Sequence, residues 1–219
     1  MLRKEIHRWL VILSLSCWLL ATPSAFAQDA VDILDKAAAA YEASNGISAT
    51  FALHTHSESL NAGESYEGMI QMRGDKFVFE TPDMITWFDG KTQWTYVERT
   101  EEVNVTTPSG DELRFTNPAL LISSYKKDFT ATYKGESTAS TGKTAYDVEL
   151  IPKKKGDITT VVLQIEKYEN FPTRIDVTAK NGIHTTVRIS QLKKGVNQPD
   201  AFFVFNAADY PNAEVIDLR

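Results

Sequence analysis

The sequence predicts a mainly β fold in which one large, curved antiparallel sheet is covered on one face by a few helices. Three observations lead to this prediction. Apolar and polar residues alternate in ten short runs that are rich in Thr, Val, Ile, Tyr and Phe, as is typical of strands. Turn signals such as Asp89-Gly90 and Asn181-Gly182 separate the runs. Helical periodicity is confined to two segments.

The first helical segment is Asp29–Ala43, in which apolar residues recur at spacings of three and four. Asp29 opens this predicted helix and Asn45-Gly46 closes it. The second is Asn117–Ser124, with Pro118 at the first helical position. The predicted strands are Ile47–Ser57, Ser65–Arg73, Lys76–Glu80, Met84–Phe88, Thr92–Glu98, Phe129–Lys134, Ala145–Ile151, Thr159–Glu166, Arg174–Lys180 and Ile183–Leu192.

Residues 1–27 have the organisation of a cleavable export signal. Basic residues (Arg3, Lys4 and Arg8) precede the apolar run Leu10–Leu20, and Ala25-Phe26-Ala27 is an A-x-A cleavage site. The apolar run is too short for a stable membrane-spanning helix. We therefore expect cleavage after Ala27, a periplasmic location, and one domain formed by residues 28–219.

Lipoprotein processing at Cys17 is the alternative to soluble export. The residues before it, Ser14-Leu15-Ser16, match a lipobox poorly, and the apolar segment continues past it through Trp18-Leu19-Leu20. A mature lipoprotein is usually polar at that point. Soluble export is therefore the favoured interpretation.

Composition excludes several classes of function. The chain carries 23 basic and 29 acidic residues. Cleavage of residues 1–27 would remove three basic residues and only one acidic residue, so the exported protein is expected to be more acidic. Without a basic stripe to release counterions, we expect no nucleic-acid partner. The single cysteine lies within the export signal, which excludes a disulfide scaffold, a thiolate nucleophile and a cysteine zinc site.

No catalytic apparatus is recognisable, so we predict that the protein is not an enzyme. The sequence lacks a nucleophile elbow, a metalloprotease helix, a phosphate-binding loop and a dinucleotide fingerprint. His54 and His56 share a strand face but have no nearby third ligand, so a solvated face is favoured and no metal or cofactor is expected. Lys153-Lys154-Lys155 is most simply a charged hairpin tip; electrostatic contact with a partner is its other interpretation.

An excess of aromatic residues on one sheet is the most informative feature. Phe77 and Phe79 share a face, as do Trp94 and Tyr96, and Trp87 lies on a neighbouring strand. A sealed core is one interpretation, and composition alone favours it. A ligand cavity, which is concave and mostly apolar, is the other.

Arg73 also has two interpretations. If strand geometry continues through Gly74, Arg73 has the same parity as Phe77 and Phe79 and points into the apolar interior. There it needs hydrogen-bonding partners, because an unpaired buried charge is costly. Alternatively, it precedes a turn and faces water.

These motifs together resemble the periplasmic lipoprotein carrier family, LolA. Asp89-Gly90-Lys91-Thr92 followed by Trp94 and Tyr96 is similar to the family's hairpin and W-x-Y strand, which is the most specific match. Weaker matches follow in the right order over nearly the whole of residues 28–219: Gly68–Arg73 with Phe77 and Phe79, the helix at Asn117-Pro118-Ala119-Leu120-Leu121, Tyr146–Pro152, the "F-x-F" strand within Asp200–Phe205, and the tail Ala213–Asp217. Gly74 stands where the family commonly has a proline.

The resemblance implies an open antiparallel half-barrel of about ten or eleven strands, with a helical lid over an apolar cavity. It implies a chaperone that accepts triacylated lipoproteins from an inner-membrane ABC transporter and delivers them to the outer membrane or to an acceptor there. Each acyl CH₂ exposed to water costs about 0.8 kcal/mol, which is why such cargo needs a cover. We expect a monomer. The candidate acyl contacts are Phe77, Phe79, Trp87, Trp94, Tyr96, Leu120, Leu121 and Ile122.

The resemblance also implies that Arg73 is a latch. In the empty state it would donate hydrogen bonds to backbone carbonyls of the lid, and lipid entry would break them. Arg73→Leu is then expected to leave loading intact and to impair release.

Two other functions stay open for the same fold. One is a lipid-anchored outer-membrane acceptor, which an acylated Cys17 would indicate. The other is a lipid-sensing regulator of envelope stress, although residues 28–219 are expected to leave no room for the additional domain such sensors carry. A secreted lipid hydrolase is the least favoured, because no Ser-His-Asp order stands in a recognisable context.

Overall fold

A computed structural model describes residues 24–57, 59, 61–108 and 118–219 of the chain. Its twelve strands form one open, curved sheet in the order β12-β6-β5-β4-β3-β2-β1-β11-β10-β9-β8-β7. The predicted mainly β fold is therefore confirmed. The helices are α1, Ser24–Glu42, and α2, Pro118–Asp128. The strands are β1 Ile47–Ser57, β2 Ala62–Arg73, β3 Lys76–Thr81, β4 Met84–Phe88, β5 Gln93–Val97, β6 Glu102–Thr106, β7 Phe129–Thr138, β8 Thr144–Pro152, β9 Ile158–Glu166, β10 Pro172–Ala179, β11 Ile183–Lys194 and β12 Glu214–Asp217.

Neighbouring strands pair antiparallel except at one edge, where β12 runs parallel to β6. The parallel pair arises because the chain leaves β11 at Lys194 and crosses one face of the sheet before β12 begins. We call this crossing segment, residues 195–213, the strap. It starts with backbone hydrogen bonds to the α1–β1 turn, from Gly195 to Ser44 and from Val196 to Gly46.

Other parts of the chain therefore pack against both faces of the sheet. The face that packs against α1 and α2, called here the helix face, carries two clusters of buried residues that share Val187 and Ile189 at their borders. The opposite face, called the strap face, carries a third cluster, which includes Val78, Val103 and Phe203.

Several elements differ from the sequence prediction. Helix α1 begins at Ser24 rather than Asp29, because Ala25, Ala27 and their neighbours favour helix as strongly as the residues that follow. It ends as predicted at Asn45 and Gly46, both with positive φ. Residues 1–23, with Cys17, lie outside the described residues, and cleavage after Ala27 stays a prediction.

Strand β6 is not among the predicted strands, and Glu101, just before it, lies in a turn with a φ of 53°. The predicted "F-x-F" strand is instead a 3₁₀ helix, Asp200–Phe203. Pro199 precedes it, and its carbonyl accepts the first turn's hydrogen bond from the Phe202 amide, which sets a helical rather than an extended course. Neither α1 nor α2, within the described ranges, is long and apolar enough to cross a membrane.

Gly68 in β2 occupies a position on the helix face where a side chain does not fit. A Cβ added there would overlap the carbonyl oxygen of Glu80 and would lie 2.5 Å from Cζ of Phe51. The Phe51 ring stacks on Phe79, with ring centroids 4.6 Å apart. Glycine at this position therefore lets an aromatic ring lie directly across the strand.

We expect Gly68→Ala to destabilise the protein by about 1–3 kcal/mol, because the new methyl overlaps atoms that cannot move freely. Urea unfolding measures this loss. Gly156→Ala is the matched control, since a Cβ there meets nothing within 4 Å, and it is expected to change stability by less than about 0.5 kcal/mol. Equal stability of the two variants would contradict the close contact at Gly68.

Candidate functional site

A cavity of about 260 Å³ lies between α1 and the helix face of the sheet. Its lining is mostly apolar. Helix α1 contributes Ala37 and Ala38, β1 contributes Ile47 and Ala49, and α2 contributes Ile122. Strands β2 and β11 contribute Ile70, Met72, Ile189 and Leu192, and the β9–β10 turn contributes Phe171.

The local periodicity of each element explains why these residues meet. Ala37, Ala38 and Tyr41 lie at helical spacings of three and four on one side of α1. In β1 and β2, alternate residues such as Ile47 and Ala49 point to the same face. Because the helix presents alanine where it crosses these strands, its short side chains leave volume between the two layers unfilled.

The rim of the cavity is polar and includes a hydrogen bond between α1 and the β2–β3 turn. The Tyr41 hydroxyl donates to the carbonyl oxygen of Gly74, 2.6 Å away in the β2–β3 turn. Burial raises the pKa of the Tyr41 phenol, and the nearby Asp75 carboxylate raises it further. The phenol therefore stays protonated and keeps its role as donor at ordinary pH, which ties the end of α1 to the sheet.

A second polar contact joins the two helices. Asp35 of α1 accepts hydrogen bonds from Lys126 at 2.8 Å and from the Tyr125 hydroxyl at 3.1 Å. The Lys126 hydrogen bond is the main cause that lowers the pKa of Asp35, although partial burial opposes it. Burial and the bond to Asp35 raise the pKa of Tyr125. The helices α1 and α2 thus form one cover over this part of the sheet.

The structure places four of the predicted acyl contacts on the helix face. Phe77 is fully buried in the cluster that includes Ile47 and Met72, and Phe79 packs against the same cluster. Leu121 and Ile122 are buried beneath the helices, and Ile122 lines the cavity itself. Leu120 lies in α2, but its side chain lies outside the described residues.

The other three candidates, Trp87, Trp94 and Tyr96, lie on the strap face, on the side of the sheet opposite Phe77 and Phe79. Phe77 pairs with Phe88, which puts the adjacent Trp87 on the other side of the sheet. Tyr96 packs against Tyr210 of the strap with a centroid distance of 4.6 Å. This aromatic cluster fixes the strap to the sheet.

Arg73 also lies on the strap face, contrary to its predicted parity with Phe77 and Phe79. The β2–β3 connection is a two-residue turn, Gly74-Asp75, so Arg73 pairs directly with Lys76 and Met72 with Phe77. Directly paired residues point to the same face. The turn thus reverses the parity that a continuous strand would give, and Gly74 supplies the positive φ of 61° that such a turn needs.

The contacts of Arg73 join the sheet to the strap. Its guanidinium forms an ion pair with Asp200 and donates to Oδ1 of Asn197 at 3.3 Å. The guanidinium carbon lies 5.7 Å from the centre of the Phe203 ring. Lys76 reaches the same Asp200 carboxylate at 2.9 Å. The described partners of Arg73 are therefore strap side chains and not backbone carbonyls of the helices.

Sequence reasoning missed most of the cavity lining. The spacing of apolar residues in Asp29–Ala43 predicts one apolar helix face, which includes Ala37, Ala38 and Tyr41. That spacing does not distinguish a helix face that packs fully on the sheet from one that lines a cavity. The run of alanines in α1 is the signal that could have indicated unfilled space. His54 hydrogen-bonds Oγ of Ser65 at 2.8 Å, and within the described part of the chain no three His, Cys, Asp or Glu side chains are grouped to hold a metal.

Comparison with known proteins supports the same fold. A family model described as "Outer membrane lipoprotein carrier protein LolA" matches residues 20–181. Among solved structures, an uncharacterized conserved protein from Thermus thermophilus has a TM-score of 0.57 and 15% identity, covering 87% of this chain and 98% of its own. A DUF1329 family protein from Desulfovibrio piger has a TM-score of 0.50 and 13% identity, covering 83% and 98%. At these identities the likeness shows the fold alone.

A curated relative also matches in sequence. It is an uncharacterized protein of Methanocaldococcus jannaschii, 26% identical over 179 residues, which are 81% of this chain and 51% of the relative. The chain thus spans about half the length of the curated relative it matches.

We expect Tyr41→Phe to lower the free energy of unfolding by about 1 kcal/mol, because it removes the hydrogen bond to Gly74 and leaves that carbonyl without its partner. Hydrogen exchange should accelerate at the end of α1. Tyr168→Phe is the matched control, since Tyr168 is 78% exposed. Unchanged exchange in α1 of the Tyr41 variant would show that the bond does not hold the rim.

For Arg73→Leu we expect faster hydrogen exchange at residues 197–203 of the strap and unchanged exchange in α1. The stability loss should be modest, about 0.5–1 kcal/mol, since Asp200 is largely exposed and its ion pairs are screened. Arg188→Leu, an exposed arginine on β11, serves as the control. Accelerated hydrogen exchange in α1 instead of the strap would contradict this expectation. It would support the latch that the family resemblance implies, in which Arg73 holds the helices.

Proposed function

Because this chain belongs to the outer membrane lipoprotein carrier protein LolA family, we propose that it is an exported carrier that binds the acyl chains of lipoproteins and shuttles them across the periplasm. The observation that supports this most directly is the apolar cavity between α1 and the sheet. The protein is a member of a carrier family and is not an enzyme.

The physical requirement for a carrier is to remove acyl chains from water. Each exposed CH₂ costs about 0.8 kcal/mol, so a triacylated cysteine is held in a membrane unless a protein offers an apolar surface of comparable extent. The Ala, Ile, Leu, Met and Phe side chains that line the cavity offer an apolar surface of this kind, although not yet of this extent. Of the eight candidate acyl contacts named from the sequence, we propose the four on the helix face: Phe77, Phe79, Leu121 and Ile122.

The size of the cavity indicates how the cargo enters. At about 260 Å³ it lies just below the roughly 300–1,000 Å³ typical of sites that enclose a small molecule. Three acyl chains therefore require the helices to move away from the sheet. The alanines of α1 that line the cavity have no long side chains to withdraw, whereas Ile33 and Leu34 of the same helix are buried against the sheet and would be exposed by a full opening.

The polar contacts of the cover give this movement a defined resistance. Opening the rim breaks the Tyr41–Gly74 hydrogen bond, while the Asp35–Lys126 contact keeps α1 and α2 together. In this proposal the two helices move as one unit and the rim bond re-forms after the cargo leaves. A donor transporter in the inner membrane and an acceptor at the outer membrane are the partners that such a carrier needs.

A cavity-filling substitution tests the proposed site. We expect Ala38→Phe to weaken binding of a synthetic triacylated lipopeptide by at least about fivefold, because the ring takes the volume that an acyl chain needs. Competition with a fluorescent fatty acid measures the affinity.

Ala39→Phe is the matched control. Ala39 is the next residue of α1, is exposed and does not line the cavity, so its variant should bind like the wild type. Thermal unfolding of both variants establishes that they are folded. Undiminished lipopeptide binding by the Ala38 variant would place the acyl site elsewhere, and no lipopeptide binding by the wild type would reject the carrier function.

A further inference from the structure

Six exposed lysines gather at one end of the sheet, outside the cavity and the strap. They are contributed by the end of α2, the β8–β9 turn and the β10–β11 turn, and we call them the lysine end: Lys126, Lys127, Lys153, Lys154, Lys155 and Lys180. We propose that the lysine end is a docking surface for an anionic phospholipid bilayer.

Backbone and side-chain hydrogen bonds bring the three elements together. Nζ of Lys153 donates to the carbonyl oxygen of Lys126 at 2.6 Å, and the Lys153 amide donates to the Asp128 carbonyl at 2.8 Å. The Lys180 amide donates to the Asp157 carbonyl at 2.8 Å, which joins the β8–β9 and β10–β11 turns. These hydrogen bonds hold the end of α2 and the two turns together, so the six lysines belong to one connected surface.

The charge of the lysine end is opposite to that of the molecule. The full chain has a net charge of −6. Among the described residues of α2 and of these two turns, the six ammonium groups are accompanied by the carboxylates of Asp128 and Asp157, and Lys126 pairs with Asp35 of α1 at 2.8 Å. An acidic protein with one basic end turns that end toward an anionic surface as it approaches.

The residue types favour a bilayer over an acidic protein as the partner. All six cations are lysines, whereas protein interfaces are enriched in arginine and depleted in lysine. Clustered lysines suffice for an anionic bilayer, which attracts charge through its surface potential without a fixed geometry. Ile151, which is 46% exposed and two residues before Lys153, adds an apolar side chain that can enter the headgroup region.

The position of the lysine end makes this inference independent of cargo binding. Strand β10 begins at Pro172, which lines the cavity, and ends at Ala179, beside Lys180. The rim residue Gly74 likewise follows the far end of β2. Docking by the lysine end therefore leaves the cavity rim directed away from the bilayer, where a partner or cargo can reach it.

Vesicle co-sedimentation of the exported protein, purified from periplasm without cargo, tests the proposal. We expect binding to phosphatidylcholine vesicles that contain about 30 mol% phosphatidylglycerol, weak binding to pure phosphatidylcholine, and loss of binding in about 0.5 M salt. The test variant is Lys154→Glu/Lys155→Glu/Lys180→Glu, which leaves the Lys153 hydrogen bond in place.

The control variant, Lys91→Glu/Lys143→Glu/Lys193→Glu, makes the same change of net charge at exposed lysines outside the lysine end. Each lysine near an anionic surface is worth roughly fivefold in binding, so the test variant should bind at least about tenfold more weakly than the control. Equal weakening of the two variants, or no preference of the wild type for phosphatidylglycerol, overturns the proposal; the second result would leave an acidic protein as the partner of this end. Lipopeptide affinity, measured in parallel, should be unchanged in the test variant, so failure here is distinguishable from failure of the carrier function.

Discussion

A single sheet of twelve strands carries apolar surface on both of its faces, and this surface must be shielded from water by the rest of a short chain. The two helices cover the helix face, and the strap covers the apolar part of the opposite face, on β3 to β6. The strap can do so because β11 lies in the middle of the sheet and β12 at its edge, so the chain must cross the intervening strands to complete the fold. Every functional assignment depends on this division, since a residue can serve a cavity only if it lies on the helix face.

The two covers differ in how completely they pack. On the strap face, Tyr210 contacts Trp87 and Tyr96, and the Arg73–Asp200 ion pair adds a polar anchor. Separating the strap from the sheet would expose these packed aromatic rings to water, which opposes opening of this face. On the helix face, α1 packs on the sheet through Ile33 and Leu34, but its alanines leave a cavity of about 260 Å³. The strap face is thus packed by interlocking rings, whereas the helix face combines a buried apolar cluster with a cavity whose rim includes the hydrogen bond from Tyr41 to Gly74.

The cavity rim and the lysine end lie at opposite ends of the strands. Near the rim, the basic side chains of Arg73, Lys76 and Lys194 are paired with Asp200 and Glu169. This arrangement separates the surface proposed to receive acyl chains from the surface proposed to meet a bilayer. A carrier that holds itself near a membrane by charge can keep its apolar cavity closed until a partner or cargo opens it, which limits the exposure of apolar surface to water.

The sequence by itself determined the fold class and nearly every strand, because alternation, turn residues and helix ends are local properties. It also determined the family, through the hairpin at Asp89–Thr92 with Trp94 and Tyr96. Only the tertiary structure decided which face each residue serves. The two-residue turn after Arg73 reversed the parity on which its predicted role depended, and the pairing of β3 with β4 put Trp87 opposite Phe77. The cavity, too, could not be predicted from the sequence pattern. Apolar residues recur with the same period whether the space between a helix and a sheet is filled by side chains or left empty.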